Sequence, residues 1–425
     1  MSTAKTPRTG KGALGAAAGA LAAALLLTLT SAPQAPASPA AAPGPAPAPA
    51  AAPAAPEAPA PEAPAPEAPA PEAPAPAAVV SAPAYAAEPT ATAATGPGAD
   101  HPAALAPAAP PAGTPAGING RLKVCGTKLC NRYGKPVQLR GMSTHGTQWY
   151  SRCVTPGSLD ALAGDWRADV LRVSTYVQEG GYETDPRKYT DLVHSLVEQA
   201  TARGMYVIVD WHMLHPGDPY HNLDRAKTFF TEIAQRHRAR TNLLYEIANE
   251  PNGVTWSRVR SYAEELIPVI RAQDPHSPVL VGTRAWSSLG VSEGADESEV
   301  VADPVRAANI MYTFHFYAYS HRDAYLAVLS RAADRLPVFV TEFGTQNHAG
   351  EGGDDFAMAQ RYLDLMAAKK IGWVNWNFSD DHRTGAVFKA GTCAAGGPWT
   401  GTAPLKPAGV WVRDRVRTPD DFPTS

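Results

Sequence analysis

The N-terminal part of this 425-residue chain has almost no aromatic side chains. Residues 1–117 contain one of the 34 aromatic residues, Tyr85, but 26 of the 42 prolines. A segment with so little apolar bulk cannot bury enough surface to offset the entropy that ordering would remove, which excludes a compact core there. The other 308 residues contain 33 aromatic residues and 16 prolines, so the sequence predicts that only this second part folds as a domain.

The second part lacks an excess of charge of either sign. It has 34 Lys and Arg residues against 34 Asp and Glu residues, which gives a formal net charge of zero. A nucleic-acid-binding domain needs a basic surface that attracts phosphates, so this balance predicts no nucleic acid partner. The sequence also has no phosphate-binding glycine loop, zinc spacing or dinucleotide fingerprint in a suitable context. We therefore expect neither a cofactor nor a metal.

Cysteine is scarce, and all of it lies in the second part. An even number of cysteines in an exported protein favours two disulfides over a metal site, although four cysteines allow three pairings. The short separation between Cys125 and Cys130 favours a local bridge. That pairing would leave Cys153 to bond with Cys393 and tie the start of the domain to its end.

The amino terminus is typical of a secretory signal. Three cations, at Lys5, Arg8 and Lys11, precede an uncharged run over residues 13–30, and small residues follow up to Ala37. This layout predicts a signal peptide over residues 1–37, secretion into the extracellular medium, and no stable membrane association after cleavage. The alternative is an uncleaved anchor, since about 18 apolar residues can just span a bilayer.

An alanine- and proline-rich segment follows, over residues 38–117. It repeats Pro-Glu-Ala-Pro-Ala from Pro56, Pro61, Pro66 and Pro71. Such a composition favours extended polyproline II over a packed fold, so we expect a disordered spacer. Two other interpretations are a ligand for proline-binding domains and a glycosylated stalk.

Residues 118–425 alternate between two patterns. Apolar runs rich in β-branched and aromatic residues alternate with segments of helical spacing, such as the one containing Leu192, Leu196 and Ala200. Eight such runs lie at 136–143, 170–176, 206–212, 243–249, 279–284, 310–317, 338–344 and 372–380. Eight strand and helix repeats favour a (β/α)8 TIM barrel over an open doubly wound sheet.

In such a barrel the active site forms where the strands end. Glu250 follows the fourth run in IANEPNG, and Glu342 ends the seventh in VTEFG, so the two would face each other across the mouth. Paired carboxylates are what glycoside hydrolysis needs, one protonated to assist the leaving oxygen and one ionised to attack the anomeric carbon. Arg172 and Tyr317 are candidates for holding one of them ionised.

The chain resembles glycoside hydrolase family 5, and within it the secreted actinobacterial endoglucanases, or cellulases. The resemblance covers nearly all of residues 118–415 and rests on LRGMSTHGTQWY, VLRVSTY, VIVDWH, YEIANEPNG, HFYAYSHRD, VFVTEFG and NWNFSDD. It implies hydrolysis of internal β-1,4-glucosidic bonds by a retaining double displacement, with a polysaccharide as partner, no cofactor and a monomeric enzyme. It also implies that Glu250 is the acid/base and Glu342 the nucleophile.

The same resemblance assigns substrate contacts. Asn249 would bind the sugar 2-hydroxyl, and Arg172 and Tyr317 would position Glu342. The other implied substrate-binding residues are His145, Trp149, Tyr150, His212, His315 and Trp376. One departure concerns Asp381, which stands where many relatives have a lysine that contacts a distal glucose. The preference among cellulose, mixed-linkage glucan and substituted glucans stays open for that reason. Mannan or xyloglucan stays open as the main substrate because related barrels share the two glutamates and differ in their loops.

Other readings of individual motifs are weaker. Asp210 and His212 form an Asp-x-His pair that could ligate a metal, but a lone pair is a poor signal. Residues 290–294 match G-x-S-x-G, yet no strand leads directly into that turn as a serine hydrolase requires. A non-catalytic glucan-binding barrel is a further alternative, although it would not need both glutamates.

Overall fold

The computed structural model describes residues 109–425. The predicted signal peptide, and the predicted spacer up to residue 108, lie outside the described residues. Within residues 109–425, no helix combines the length and the apolar character that a membrane crossing requires.

Eight parallel strands close into a barrel, as the sequence predicts. Neighbouring strands are hydrogen-bonded in chain order, and the last strand pairs with the first to close the ring. The barrel strands are β3 Arg140–Ser143, β4 Val170–Tyr176, β5 Tyr206–His212, β6 Leu243–Glu246, β7 Val279–Val281, β8 Ile310–Tyr317, β9 Val338–Gly344 and β10 Trp373–Trp376. The (β/α)8 prediction is therefore confirmed, with each strand inside the run predicted for it.

Helices connect successive strands and cover the outside of the barrel. The helices that contribute the longest faces are α4 Pro186–Ala202, α5 Leu223–His237, α6 Trp256–Gln273, α9 Asp323–Arg335 and α10 Phe356–Lys369. Shorter helical segments are α1 Pro115–Asn119, α2 Thr147–Tyr150, α3 Pro156–Gly164, α7 Arg284–Ser287, α8 Ser298–Ala302 and α11 Pro407–Val416, with 3₁₀ turns at Ser151–Cys153, Pro219–Asn222 and Val291–Glu293.

Several helices begin with the capping residue their sequence supplies. Asp185 accepts a hydrogen bond from the backbone N–H of Lys188 at the start of α4, and Pro186 takes the first helical position. Thr155 and Ser158 form a reciprocal capping box at the start of α3. These side chains satisfy N–H groups that have no partner inside the helix, and so fix where each connection turns back toward the barrel.

An antiparallel hairpin precedes the barrel. It consists of β1 Lys123–Cys125 and β2 Lys128–Cys130, and a disulfide joins Cys125 to Cys130 across it. A second disulfide joins Cys153 to Cys393. Both predicted pairings are confirmed, and no described cysteine is free.

Two apolar clusters make up the core. The larger one lies between the strands and their helices. The smaller one fills the barrel interior with Val170, Tyr206, Leu244 and Phe339, and continues into the segment before the barrel at Leu129. Because side chains alternate across a strand, every second residue after these also points inward. Toward the ends of β4, β5 and β6 the inward side chains are polar.

The structure corrects the end of the fourth barrel strand. We expected strand structure over residues 243–249, but β6 ends at Glu246. Beyond it the backbone crosses toward its neighbours: the N–H of Ile247 bonds to the carbonyl of Leu280, and that of Asn249 bonds to the carbonyl of Trp211. Glu250 therefore lies in the loop after β6, at the carboxyl end of the barrel.

Candidate active site at the carboxyl end of the barrel

Arg172 lies at the centre of the site. It points inward from β4 and its side chain is fully buried. Its Nε and Nη2 donate to the two carboxylate oxygens of Glu246 at 2.7 and 3.2 Å, and its Nη1 donates to Glu342 Oε2 at 3.0 Å. A two-bonded arginine and carboxylate pair fixes the plane of both groups, so Arg172 is held in one orientation.

Two further acceptors complete the surroundings of Arg172. Its Nη2 lies 3.0 Å from Asp210 Oδ2 and 2.6 Å from Asn249 Oδ1. Burial disfavours the charged guanidinium, but the carboxylates of Asp210, Glu246 and Glu342 outweigh this and raise the pKa of Arg172. Arg172 is thus a permanent cation beneath the mouth of the barrel.

Glu342 belongs to β9 and is almost fully buried. The hydroxyl of Tyr317 donates to its Oε1 at 2.5 Å, while Arg172 holds its Oε2. Both carboxylate oxygens of Glu342 are thus held in a fixed orientation. The predicted positioning contacts from Arg172 and Tyr317 to Glu342 are present in the structure.

A local irregularity brings two consecutive residues of β9 into the interior. The β8–β9 ladder shifts register between Thr313 and His315, and His315 pairs with Glu342. As a result Thr341 reaches Glu246 and His315, while Glu342 reaches Arg172. Such bulges re-aim side chains next to active sites, since a regular strand would turn one of the two outward.

Glu250 faces the same space from the loop after β6, and 12% of its side chain is exposed. Its Oε1 lies 2.9 Å from His315 Nδ1. Burial raises the pKa of Glu250, and the negative charge of Glu342 adds to that increase, whereas the hydrogen bond from His315 opposes it. The environment therefore shifts Glu250 toward its protonated form, whereas Glu342 accepts from Arg172 and Tyr317, and this is the asymmetry that acid catalysis needs.

The two glutamates are close. One oxygen of Glu250, one of Glu342 and a ring nitrogen of His315 all lie within 4.8 Å of one another. Retaining glycosidases place their carboxyl groups about 5 Å apart, whereas inverting ones leave about 6.5–9.5 Å for a water molecule. The spacing fits direct attack on the sugar by one of the carboxylates.

His315 joins the two halves of the site. Its Nδ1 contacts Glu250, and its Nε2 lies 2.9 Å from Thr341 Oγ1 and 3.7 Å from Glu246 Oε1. Burial lowers the pKa of His315, but the surrounding acidic groups Glu246, Glu250 and Glu342 together outweigh it and raise that pKa to about 9. The imidazole is therefore cationic near neutral pH.

Aromatic rings form one wall of the mouth. His212 stacks on Tyr176 with ring centroids 4.1 Å apart, and on Trp376 at 5.2 Å. His145 lies 5.0 Å from Trp376 and 4.6 Å from Tyr150. Aromatic faces of this kind stack against the apolar faces of sugar rings.

The wall reaches solvent at its outer edge. Trp149 lies 5.7 Å from the His145 ring, and 41% of its surface is exposed. Trp286 is 37% exposed and lies on the side of Glu250, since the backbone N–H of Trp286 donates to the carbonyl of Pro251. All the site residues predicted from the sequence therefore converge on one end of the barrel.

Asp381 does not occupy the place of a cleft-facing lysine. Its carboxylate is buried, with Oδ2 3.5 Å from His145 Nε2 and Oδ1 2.9 Å from His382 Nδ1. Burial raises the pKa of Asp381, but hydrogen bonds from His145 and Tyr150 dominate and lower it. The carboxylate therefore orients the aromatic wall.

Three further residues belong to the site, although the sequence motifs did not single them out. Glu246 and Thr341 lie inside motifs that drew attention only to their neighbours, and Tyr176 was not singled out. A signal for Glu246 was present, because a glutamate inside the otherwise apolar strand LLYE is costly unless it is paired. Asp210 pairs with it in register across β5 and β6.

Two groups of described residues have metal-ligand geometry. In the first, Cys153 and Cys393 lie near Asp380, but their sulfurs form a disulfide and offer no thiolate. The second is Glu250, His315 and Glu342. A metal needs a neutral imidazole, whereas His315 has a raised pKa, and the Arg172 cation is 3.0 Å from Glu342. Both features disfavour a cation there.

Comparison with known proteins agrees with this geometry. Residues 130–382 match the cellulase family, glycosyl hydrolase family 5. The chain belongs to glycoside hydrolase family 5. Endoglucanase E-5 of Thermobifida fusca is 63% identical over 309 residues, which are 73% of this chain and 66% of that protein. Endoglucanase CelA of Streptomyces lividans is 56% identical over 313 residues, 74% of this chain and 68% of that protein. The match thus spans about two thirds of the length of these relatives.

Solved structures of the family extend the likeness to three dimensions. The catalytic domain of the Thermobifida fusca endoglucanase superposes with a TM-score of 0.71 at 64% identity, covering 72% of this chain and all of that domain. A variant of the same domain in complex with cellotetraose has a TM-score of 0.71 at 63% identity. This family 5 chain therefore shares the barrel, and 64% of the aligned residues, with a structurally characterised endoglucanase domain.

Proposed function

We propose that this protein is a secreted endo-β-1,4-glucanase that hydrolyses internal bonds of cellulose and related β-glucans with retention of anomeric configuration. The observation that carries the proposal is the pair of glutamates. Glu250 and Glu342 place carboxyl oxygens within 4.8 Å across the mouth, in different environments: burial raises the pKa of Glu250, whereas Arg172 and Tyr317 donate to Glu342. The names of its family 5 relatives, and the cellotetraose complex of one of them, support a β-glucan substrate.

In the first chemical step Glu342 attacks the anomeric carbon while Glu250 gives its proton to the leaving glycosidic oxygen. Arg172 and Tyr317 hold Glu342 ionised and aimed, so little reorganisation is needed as the covalent bond forms. The amide of Asn249, held by Arg172, is placed to bind the sugar 2-hydroxyl. That contact strengthens as positive charge develops on the ring.

In the second step Glu250, now a carboxylate, removes a proton from water, which attacks the glycosyl ester and releases Glu342. The roles of Glu250 as acid and then base follow from microscopic reversibility. The wall formed by Tyr176, His212 and Trp376 supports the sugar ring through both steps, and the part of the wall at His145 and Trp149 supports glucose units further along the chain.

Product analysis tests the proposal. The purified protein is incubated briefly with carboxymethyl-cellulose, mixed-linkage glucan and mannan in parallel, and the products are followed by chromatography and by nuclear magnetic resonance. Rapid release of mixed-length β-anomers from the glucans is the expected result. Activity mainly on mannan would overturn the substrate, α-anomers would overturn the retaining mechanism, and inactivity on all three would favour a binding protein.

The proposed domain organisation does not depend on the catalytic mechanism. Residues 1–37 are proposed as a signal peptide, residues 38–117 as a spacer whose last three residues join the ordered helix α1, and residues 118–425 as a monomeric catalytic domain. N-terminal sequencing of the protein recovered from culture medium checks the first, with Ser38 expected as the first residue. A chain that begins at residue 109 should keep the kcat/KM of the full chain on soluble glucan and elute as a monomer in gel filtration.

A further inference from the structure

A buried threonine bridges two ionisable groups below the active site. Thr341 Oγ1 lies 2.7 Å from Glu246 Oε1 and 2.9 Å from His315 Nε2. The side chains of Thr341 and Glu246 are fully buried, and His315 is only 2% exposed. The bridge therefore has no contact with bulk water, and its hydrogen positions are set by the three groups themselves.

Those hydrogen positions follow from the chemistry of Glu246. Both of its oxygens accept hydrogen bonds from Arg172, at 2.7 and 3.2 Å. Burial raises the pKa of Glu246, but the charge and hydrogen bonds of Arg172, together with His315, lower it overall, so Glu246 is a carboxylate and can only accept. Thr341 has one hydroxyl hydrogen, which must go to Glu246. Its oxygen is then left to accept from His315, so Nε2 of His315 carries a hydrogen.

The other ring nitrogen faces Glu250. His315 Nδ1 lies 2.9 Å from Glu250 Oε1. The acidic groups that act on His315 are Glu246, Glu250 and Glu342, of which Glu250 carries its own proton when it serves as the acid. His315 also interacts electrostatically with Asp210 and with His212, whose pKa burial lowers, and the Arg172 cation lies 3.0 Å from Asp210. With Glu250 protonated, the carboxylates of Glu246 and Glu342 still outnumber the single Arg172 cation, which favours a second hydrogen, on Nδ1.

We propose that Glu246 and Thr341 are positioning residues that hold His315 as an imidazolium, whose Nδ1–H occupies one oxygen of Glu250. The proton of Glu250 must then sit on its other oxygen, where it is available to the leaving group. This inference rests on the proposed acid/base role of Glu250. When the O–H bond of Glu250 breaks and the leaving oxygen takes the proton, the Nδ1–H stays in place and stabilises the new carboxylate.

These contacts form a chain of hydrogen bonds that also links the two catalytic carboxylates. It runs from Glu250 through His315, Thr341, Glu246 and Arg172 to Glu342, with each contact at 3.2 Å or less. Glu246 is the counter-charge of both His315 and Arg172. The orientation of the acid and that of the nucleophile are therefore set by one buried carboxylate.

Thr341→Val is the variant that isolates the bridge, because valine keeps the shape and removes the hydroxyl. Two substrates are compared by kcat/KM, which reports the first chemical step: a cello-oligosaccharide, which needs the acid, and 2,4-dinitrophenyl cellobioside, whose leaving group does not. We expect a loss of about 10- to 100-fold on the oligosaccharide and less than about threefold on the aryl glycoside. Thr341→Ser, which restores the hydroxyl, should recover most of the lost rate.

A spectroscopic measurement on the unaltered protein keeps the test independent of variant folding. In ¹⁵N-labelled protein, the His315 signals are assigned by their loss in His315→Gln. Both ring nitrogens should have imidazolium shifts at pH 7. In Thr341→Val the pKa of the ring should be lower, so that the ring loses its second hydrogen at a lower pH than in the unaltered protein. A neutral His315 at pH 7 in the unaltered protein would overturn the proposal.

The kinetic outcomes separate this inference from the proposed function. If the unaltered protein cleaves neither substrate, the proposed function fails. If it cleaves both and Thr341→Val loses the same factor on each, the bridge does not serve the acid and the inference fails. Failure of Thr341→Ser to recover rate would also count against it, because the hydroxyl would then not be the group that matters.

Discussion

At the residue scale, Glu250 and Glu342 show how surroundings divide one functional group into two roles. Both are glutamates at the carboxyl end of the barrel, but Glu342 accepts from Arg172 and Tyr317 while Glu250 contacts His315. Burial raises the pKa of Glu250 above its ordinary value. The difference lies in their partners, and each assignment predicts a different failure when its side chain is altered.

Glu342→Gln should abolish turnover and keep binding. The amide cannot attack the anomeric carbon, but it has nearly the shape of the carboxylate, so cellotetraose should still bind. We expect kcat to fall by at least about 10⁴-fold, measured as reducing sugar released from carboxymethyl-cellulose, with the Kd for cellotetraose changed by less than about tenfold. Turnover close to that of the unaltered protein would remove Glu342 from the nucleophile role.

Glu250→Ala should separate substrates by leaving group. Natural glucan needs a proton on the departing oxygen, whereas dinitrophenolate leaves without one, so kcat/KM should fall by about 10²- to 10⁴-fold on glucan and much less on the aryl cellobioside. Added azide should restore kcat on the aryl substrate, because a small anion can attack the glycosyl enzyme without a base. Equal losses on both substrates, or no effect of azide, would argue against the acid/base role.

At the scale of elements, helices α4 and α5 pack through a buried pair of histidines. His194 Nδ1 lies 2.8 Å from His237 Nε2, and Arg240 donates to His237 Nδ1 at 3.1 Å. Since Arg240 can only donate, His237 Nδ1 accepts and its Nε2–H donates to His194. Burial lowers the pKa of His237 to about 3, and the nearby charges of His194 and Arg240 contribute. The pair is therefore neutral in the folded protein.

This pair makes stability depend on pH. The folded-state pKa of His237 lies below its unfolded value of about 6.5, so its contribution is complete above that pH and is lost as the pH falls toward 3. When the pH is lowered from 7 to 4.5, the unfolding free energy of His237→Gln should fall by about 2 kcal/mol less than that of the unaltered protein, as measured by urea denaturation. His276→Gln, at an exposed histidine, is the matched control. Parallel pH curves for His237→Gln and the unaltered protein would contradict this account.

At the scale of the whole molecule, the Cys153–Cys393 disulfide connects the loop after α2 with the loop after β10. Cys393 follows the segment that holds Asp380 and Asp381, and Cys153 ends the 3₁₀ turn next to Trp149 and Tyr150. The N–H of Cys393 also bonds to Asp380 Oδ2 at 3.0 Å. The bridge thus ties together two loops that carry one wall of the site.

The two disulfides should differ in what they contribute to stability. Cys153 and Cys393 are 240 residues apart, whereas Cys125 and Cys130 are 5 apart. Loop-closure entropy predicts losses of about 5 kcal/mol for Cys153→Ser with Cys393→Ser, against about 2 kcal/mol for Cys125→Ser with Cys130→Ser. The midpoint of thermal unfolding under non-reducing conditions compares the two double variants. A larger loss in the hairpin variant would show that native contacts, and not chain entropy, dominate.

The sequence by itself determined the repeat and much of the site. Alternating apolar runs and helical segments specify a (β/α)8 barrel because each must bury one face against the other, and every barrel strand lies within its predicted run. Residues at the carboxyl ends of parallel strands lie at the same end of the barrel, irrespective of how the helices pack. That is why the sequence alone could assign Glu250, Glu342, Arg172 and the aromatic wall to one site.

Only the tertiary structure decided which neighbours those residues have. The register shift in β9 turns both Thr341 and Glu342 inward, and strand periodicity alone would have turned one of them out. Glu246 and Asp381 acquired partners from distant strands and loops, at Arg172 and His145, that no local pattern encodes. Periodicity fixes the face of a strand on which a side chain lies, whereas hydrogen-bond partners depend on ångström-scale packing between elements far apart in the chain.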